Sequence, residues 1–214
     1  CFVEYMPPKW SQGTIYYQIF PERFRKENPF YAPENCVAWG SKPTAFNFMG
    51  GNLNGIRKSL SYLAELGVEC IYLNPVFTSP SNHKYDTTDY YKVDPHFGIN
   101  EDLRVLVKEA HEKNIRVILD AVFNHTGTEF FAFADLLKNQ EKSEYQSWYH
   151  ITCFPVREEA DCYECFFGFA GMPKLNTGNE KVQEYFLNVL EYWVRKVQVD
   201  GYRFDVIDEI DENF

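Results

Sequence analysis

The sequence has no run of 18 apolar residues, so no stretch of it is long and apolar enough to span a bilayer as a helix. No basic start followed by an apolar stretch marks a secretory leader, and a cytoplasmic setting with no membrane partner is the expectation. Positive charge is in short supply: 21 Lys and Arg face 31 Asp and Glu, leaving a formal net charge of -10. A surface of that sign repels a phosphate backbone, which argues against nucleic acid and favours a neutral ligand. Cysteine is sparse, with six residues at 1, 36, 70, 153, 162 and 165 and no regular framework, so all six read as free thiols. Cys162-Tyr163-Glu164-Cys165, with Cys153 nearby, resembles half of a zinc site, but no second CxxC or histidine pair completes it and no metal is expected there. A short internal repeat is also missing, which excludes a solenoid.

Aromatic residues are abundant: 15 Tyr, 19 Phe and 4 Trp, a number that suits a large core and equally suits sugar binding, where apolar sugar faces stack on rings. The chain opens at Cys1 without methionine and stops at Phe214 just after an apparent strand, and is expected to be a piece of a longer protein. β-Branched and aromatic runs predict strands over 14–20, 68–73, 115–119 and 201–206. Between them lie helical stripes. Gly50-Gly51-Asn52 leads into the first, with Ile56, Leu60, Leu63 and Leu66 on one face and Gly67 at the stop. Asn100 is the expected cap of the second, which buries Leu103, Leu106, Val107 and Ala110. Thr177 and Glu180 form an expected capping box for the third, with Val182, Phe186, Val189, Leu190, Trp193 and Val197 inward. Residues 22–49 read as a long loop, and 126–178 is far longer than the usual connection of about 2 to 6 residues, so a subdomain is inserted there.

Strands alternating with helices imply a parallel sheet. Phe20-Pro21-Glu22-Arg23-Phe24, after the first strand, is no glycine-rich phosphate loop, which sets aside a doubly wound nucleotide-binding sheet. A barrel instead carries polar groups just past several strands, and Tyr85, Asp86, Asp120, His125, Arg203 and Asp205 sit in such places. The fold class expected is therefore α/β, the N-terminal half (about four strands) of a (β/α)8 TIM barrel with an insertion after the third strand. Its parts are 1–125 for the first three strand-helix steps, 126–178 for the insertion, and 179–214 for the third barrel helix and fourth strand.

Taken singly, these residues have ordinary readings. Arg203-Phe204-Asp205 is commonly a structural ion pair, Asp120 a cap and His125 a satisfied core histidine. Arg203 and Asp205, two apart in a strand, point to one side, and a guanidinium beside a carboxylate favours the ionised form that a nucleophile needs. Asp120 and His125 at the neighbouring strand end converge on the same rim.

The chain resembles the α-amylase family of glycoside hydrolases over about Gly13 to Glu209. The resemblance is carried by Tyr-Gln-Ile-Phe-Pro-Glu-Arg-Phe at 17–24, Lys-Tyr-Asp-Thr-Thr-Asp-Tyr at 84–90, Val-Asp-Pro-His-Phe-Gly at 93–98, Asp-Ala-Val-Phe-Asn-His at 120–125, Met-Pro-Lys-Leu-Asn at 172–176 and Gly-Tyr-Arg-Phe-Asp at 201–205. Pro-Ser-Asn-His-Lys-Tyr-Asp at 80–86 and the 172–176 segment are similar to the neopullulanase, cyclomaltodextrinase and maltogenic amylase group. The resemblance implies retaining hydrolysis of an α-glucan oligosaccharide or polysaccharide, with Asp205 as nucleophile and Arg203 keeping it ionised and oriented. It also implies that His125 hydrogen-bonds the sugar, Tyr85 stacks under it, Asp120 holds the arginine, Asn176 lies near the substrate, and 126–178 is the family's domain B. The family's general acid follows a later strand, beyond Phe214, so this chain alone is expected to be inactive. Family members often bind calcium near the first strand. Here Arg25-Lys26-Glu27-Asn28-Pro29 and Asn52 replace anionic ligands, and no obligate calcium or other cofactor is expected. An inactive relative kept as a carbohydrate-binding or scaffold protein is the alternative. Bond type, cyclic or linear substrate, and whether the parent is a homodimer stay open.

Overall fold

The computed structural model describes residues 6–28, 33 and 35–214. Four strands, β1 (Tyr16–Ile19), β2 (Cys70–Leu73), β5 (Arg116–Ala121) and β6 (Gly201–Phe204), form one sheet in the order β1-β2-β5-β6. Every pairing in it is parallel. Helices α2 (Leu53–Lys58) and α3 (Leu60–Glu65) connect β1 to β2, α4 (Asn100–Glu112) leads into β5, and α6 (Glu180–Val197) leads into β6. Central β2 and β5 are mostly buried, as strands covered on both faces are, whereas β1 and β6 at the sheet's edges are more open.

The expected first helix is two. Ser59 separates α2 from α3, and its hydroxyl donates to the Gly55 carbonyl at 3.0 Å, a side-chain bond that competes with the helical ladder. The register therefore shifts, and Leu66 is exposed instead of joining Ile56, Leu60 and Leu63 in the core. Short helix α1 (Pro21–Phe24) runs so close to the start of α2 that a Cβ on Gly51 would lie 2.1 Å from the Pro21 carbonyl oxygen and one on Gly55 2.0 Å from that of Arg25. Only glycine permits that approach. Asn100 does not cap α4: its side chain accepts from Val93 N and donates to the Tyr91 carbonyl, while the Asp102 carboxylate takes the free N–H of Ile99. Nor does Thr177 close a capping box on α6. Asn179 caps that helix by accepting from Lys181 N, and the Thr177 hydroxyl accepts from Asp211 N.

Helix α6 buries Val182, Phe186, Val189, Trp193 and Val197, a stripe at helical spacing, with Leu190 at its half-buried margin. Each such side chain contributes about 1.5–3 kcal/mol when withdrawn from water. The stripe covers an antiparallel hairpin of β3 (Phe77–Thr78) and β4 (Asp89–Val93) that lies between β2 and α4. Trp193 stacks on Phe77 at 5.0 Å between ring centroids and donates its indole N–H to the Tyr90 carbonyl at 2.8 Å. That contact seats the hairpin, and with it the 79–86 loop at its tip.

The 126–178 segment holds helix α5 (Phe131–Asn139) and isolated bridges Ile151–Tyr163, Tyr149–Leu175 and Cys165–Pro173. The expectation of free thiols fails in it. The amides of Thr152 and Cys153 both donate to the Cys162 carbonyl, which brings the Cα atoms of Cys153 and Cys162 to 4.9 Å, and the two form a disulfide. This also removes two ligands from the half zinc site. Cys36, Cys70 and Cys165 are free, and Cys1 lies outside the described residues.

Candidate active site

Strands β5 and β6 lie side by side with Asp120 opposite Arg203. The Arg203 Nη1 donates to Asp120 Oδ1 at 3.1 Å and Oδ2 at 3.4 Å, and to Asp205 Oδ1 at 2.5 Å. One guanidinium nitrogen thus bridges the two carboxylates. Asp205 sits just past β6, its amide held by the Ala121 carbonyl at 3.1 Å. Val206 then adopts φ 48° and ψ 46°, a left-handed conformation that a β-branched residue rarely takes, and turns the chain away from the sheet.

Asp120 is buried and accepts from Tyr72 at 2.5 Å and from Tyr85 at 3.0 Å, both on Oδ2. The Tyr85 hydroxyl in turn accepts from Asn74 Nδ2 at 3.0 Å, and Asn74 Oδ1 accepts from Gln18 at 2.9 Å. All four strands of the sheet, with their ends, feed this network. Burial pushes the Asp120 carboxyl pKa up, resisted by the Tyr72 hydrogen bond and the Arg203 charge. Desolvation works against the Arg203 cation, yet Asp120 and Asp205 more than offset it and its pKa is raised. Burial pushes the Tyr85 phenol up to about 12 and raises Tyr72 as well, so both act as neutral donors at pH 7.

His125 is fully buried past the end of β5, stacked on Phe166 at 4.8 Å between ring centroids. Its Nε2 makes no hydrogen bond of acceptable geometry, although the Tyr85 backbone lies near enough to favour the charged ring. Burial pulls the imidazole down to about 4, and the Asp205 charge only partly opposes this, so the ring is neutral at pH 7. Beside it opens a cleft of ≈ 420 Å³ lined by Asn124, Phe166, Phe167, Lys174 and Glu209 among others. Lys174 pairs with Glu209 across it. The bridged carboxylates and the unpaired imidazole nitrogen lie together, while the cleft is lined by none of Asp120, Tyr85, His125, Arg203 and Asp205 and adjoins them through Phe166, which stacks on His125.

The model of the alpha amylase catalytic domain matches residues 18–214. The chain belongs to the α-amylase family. It is 51% identical over 212 residues to a cyclomaltodextrinase of Geobacillus thermopakistaniensis (strain MAS1), covering 98% of this chain and 36% of that protein. It is 48% identical over 211 residues to an intracellular maltogenic amylase of Bacillus subtilis (strain 168), again covering 98% of this chain and 36% of the relative. Among solved structures, a cyclic alpha-maltosyl-(1→6)-maltose hydrolase from Arthrobacter globiformis, in complex with that sugar, superposes with a TM-score of 0.92 at 39% identity over 96% of this chain and 47% of the other. The chain thus spans little more than a third of the length of those two sequence relatives, and its four parallel strands are part of a (β/α)8 barrel. Among the described residues no helix is long and apolar enough to cross a membrane.

Within this α-amylase barrel, the residues picked out from sequence do not all meet. Arg203, Asp205, Asp120 and Tyr85 form one hydrogen-bonded cluster, with His125 beside it. Asn176 stands apart from that cluster: its amide donates to the Ser147 carbonyl at 3.1 Å, although Leu175 N is bonded to the Asn124 carbonyl next to His125. Tyr72, Asn74 and Phe166 were not singled out. Tyr72 reads as a core residue of a strand, and only its alignment with Asp120 on β5 reveals a donor. The residues near the first strand do not fit a calcium ion. Asn52 Nδ2 donates to the Glu27 carbonyl at 2.7 Å, and Asn54 Nδ2 donates to that of Asn28, so oxygens that a hard cation would claim already receive N–H groups. Pro29 lies outside the described residues, and among the described ones no three His, Cys, Asp or Glu side chains are grouped to hold a metal.

Proposed function

We propose that the protein containing this chain hydrolyses α-glucosidic bonds in α-glucans such as maltooligosaccharides, cyclodextrins or pullulan, with retention of configuration, through a covalent glycosyl intermediate on Asp205. The observation that carries this reading is the Arg203 bridge between Asp120 and Asp205 at adjacent strand ends. One oxygen of Asp205 accepts from Arg203, which aims the carboxylate for attack. Asp120 is committed to Arg203, Tyr72 and Tyr85, and acts as the buttress of the guanidinium. Tyr85 supplies the ring on which the sugar rests, the neutral His125 offers its free Nε2 to a sugar hydroxyl, and Asn176, turned to the Ser147 carbonyl here, takes a more distant part of the substrate.

In the first step Asp205 attacks the anomeric carbon while a protonated carboxyl about 5–5.5 Å away gives its proton to the leaving oxygen. In the second, water, deprotonated by that same group, breaks the glycosyl ester. Asp120 is paired as above, Glu209 is tied to Lys174, and Asp208 and Glu209 both follow Asp205 too closely in the chain to serve as its acid partner, so these 214 residues alone are not expected to turn over substrate. No calcium is required near Asn52. A cytoplasmic setting belongs to the same reading, supported by the relative named as intracellular; there Cys153 and Cys162 are held reduced, and the bridge closes when the protein is purified in air, so a bridge already present in cells lysed with thiols blocked would refute that setting.

The test is made on the full-length protein. Maltotriose and β-cyclodextrin hydrolysis should fall by several orders of magnitude in Asp205→Asn with the circular dichroism unchanged, and a fluorinated glycosyl fluoride should label the peptide carrying Asp205. Near-normal turnover by the variant, label on another carboxylate, or a product of inverted configuration would refute the assignment.

A further inference from the structure

Lys84, next to Tyr85, has no part in the chemistry outlined above, yet among the described residues it is the only buried lysine. Its Nζ lies 2.8 Å from Asp94 Oδ2, with both side chains at most 2% exposed, and it also donates to the Ser79 carbonyl at 2.8 Å. The remaining space around the ammonium is taken by the rings of Phe48 and Phe97, whose centroids are 5.6 and 5.5 Å away. Asp94 Oδ2 accepts from Ser79 N as well, at 3.1 Å. Both backbone groups of Ser79, where the loop leaves the hairpin, are therefore tied to this one ion pair. On the other side of Asp94, His96 N donates to Oδ1 at 2.9 Å, and His96 Nδ1 lies 3.1 Å away without the alignment of a hydrogen bond.

An ion pair is an expensive way to fill a core, because the desolvation of two charges commonly matches or exceeds their attraction, and apolar side chains of similar volume often serve stability as well. What an ion pair adds is direction. Here Lys84 takes φ 65°, a left-handed turn outside glycine's territory. The kink sends the lysine inward while the next side chain, Tyr85, reaches to Asn74 and Asp120. Around it, Lys84 N donates to the Ser81 hydroxyl, the Lys84 carbonyl accepts from Thr87, and Asp86 accepts from Ser79 and Ser81. Tyr85 is thus held at its hydroxyl by Asp120 and at its backbone by the anchored lysine.

We propose that Lys84, through its buried pair with Asp94, is a positioning residue that sets the height and tilt of the Tyr85 ring under the sugar. The proposal rests on the reading of Tyr85 as the platform for the reacting ring. It predicts a kinetic effect that passes through Tyr85 and a disturbed ring even without substrate, where a merely structural lysine would lower the melting temperature and leave the folded fraction's kinetics alone.

The experiment uses the full-length protein with maltotriose as probe. Lys84→Met should lower kcat/KM per folded molecule by about 10- to 100-fold, the size of loss that a misplacement near 1 Å brings. In a Tyr85→Ala background the same substitution should cost less than about 3-fold, because the group it positions is gone. If Lys84→Met leaves Asp94 unpaired and does not fold, the neutralised pair Lys84→Met/Asp94→Asn takes its place in both backgrounds. A 3-fluorotyrosine placed at position 85 gives a readout free of turnover: one sharp 19F line in the native protein, and a shifted, split or broadened one in the variant. Equal losses in both backgrounds, or an unchanged line with unchanged kinetics, would overturn the proposal. Absence of turnover in the native protein would instead strike the hydrolase reading, and the 19F line would still decide the role of Lys84.

Discussion

Lowering the pH from neutrality to about 4 should reveal how deeply His125 is withdrawn from water. The ring titrates near 6.5 when exposed and is pulled down to about 4 by burial in this fold. A gap of about 2.5 units at 1.36 kcal/mol each corresponds to roughly 3 kcal/mol. The sign follows from which state takes up the proton first. As the pH falls below 6.5 the unfolded chain protonates its histidine while the native one does not, so unfolding is favoured. The stabilisation is present in full above 6.5, declines as pH falls, and is gone below about 4. The assay is NMR of full-length protein labelled with 13C-histidine, the His125 signal being the one lost in His125→Asn. Its midpoint should lie near 4, and urea denaturation should show native protein losing stability relative to His125→Asn across that interval. Because the Asp205 charge favours the charged ring, Asp205→Asn should move the midpoint further down. A His125 midpoint at 6 or above, or an upward move in Asp205→Asn, would refute the reasoning.

Trp193→Ala removes the ring stacked on Phe77 and the indole bond to Tyr90, and should cost about 3–5 kcal/mol by chemical denaturation, with the hairpin's amide protection lost first. Excess EDTA should leave the melting temperature and the kinetics of the full-length protein unchanged, since amide donors already occupy the Glu27 and Asn28 carbonyls; a drop of several degrees reversed by calcium would refute this. Alkylation of the purified, denatured and unreduced protein should modify Cys36, Cys70 and Cys165 and leave Cys153 and Cys162 unmodified until a reductant is added.

Much of the scaffold was legible because single elements carry their own signals. The inward stripe of α6 and the continuous apolar run of β5 declare themselves by periodicity, and Arg203-Phe204-Asp205 declares two side chains on one face. What could not be read depends on neighbours far away in the chain. Ser59 breaks a helix whose apolar spacing continues through it, because its hydroxyl finds the Gly55 carbonyl. The β3–β4 hairpin is short and its strands are held by Trp193 from a helix more than 100 residues later, so no local pattern announces it. Asn100 has the chemistry of a cap, but the nearby strand β4 offers it both a donor and an acceptor. The cysteines show the same limit, since the pairing of Cys153 with Cys162 follows from two amides converging on one carbonyl.

The place of Asp120 also has a temporal meaning. Its carboxylate gathers donors 35, 48 and 83 residues away in the chain, and contacts of such separation form late because chain closure must precede them. Tyr72 and Tyr85 can reach it once β2 and β5 have paired, whereas Arg203 and Asp205 arrive only when β6 pairs with β5. Assembly is therefore expected in two stages: a tyrosine-bound carboxylate first, and the arginine bridge last. The same order runs backward under mild denaturant. Any local opening that parts β6 from β5 would disconnect the bridged pair while Tyr72 and Tyr85 stay on Asp120.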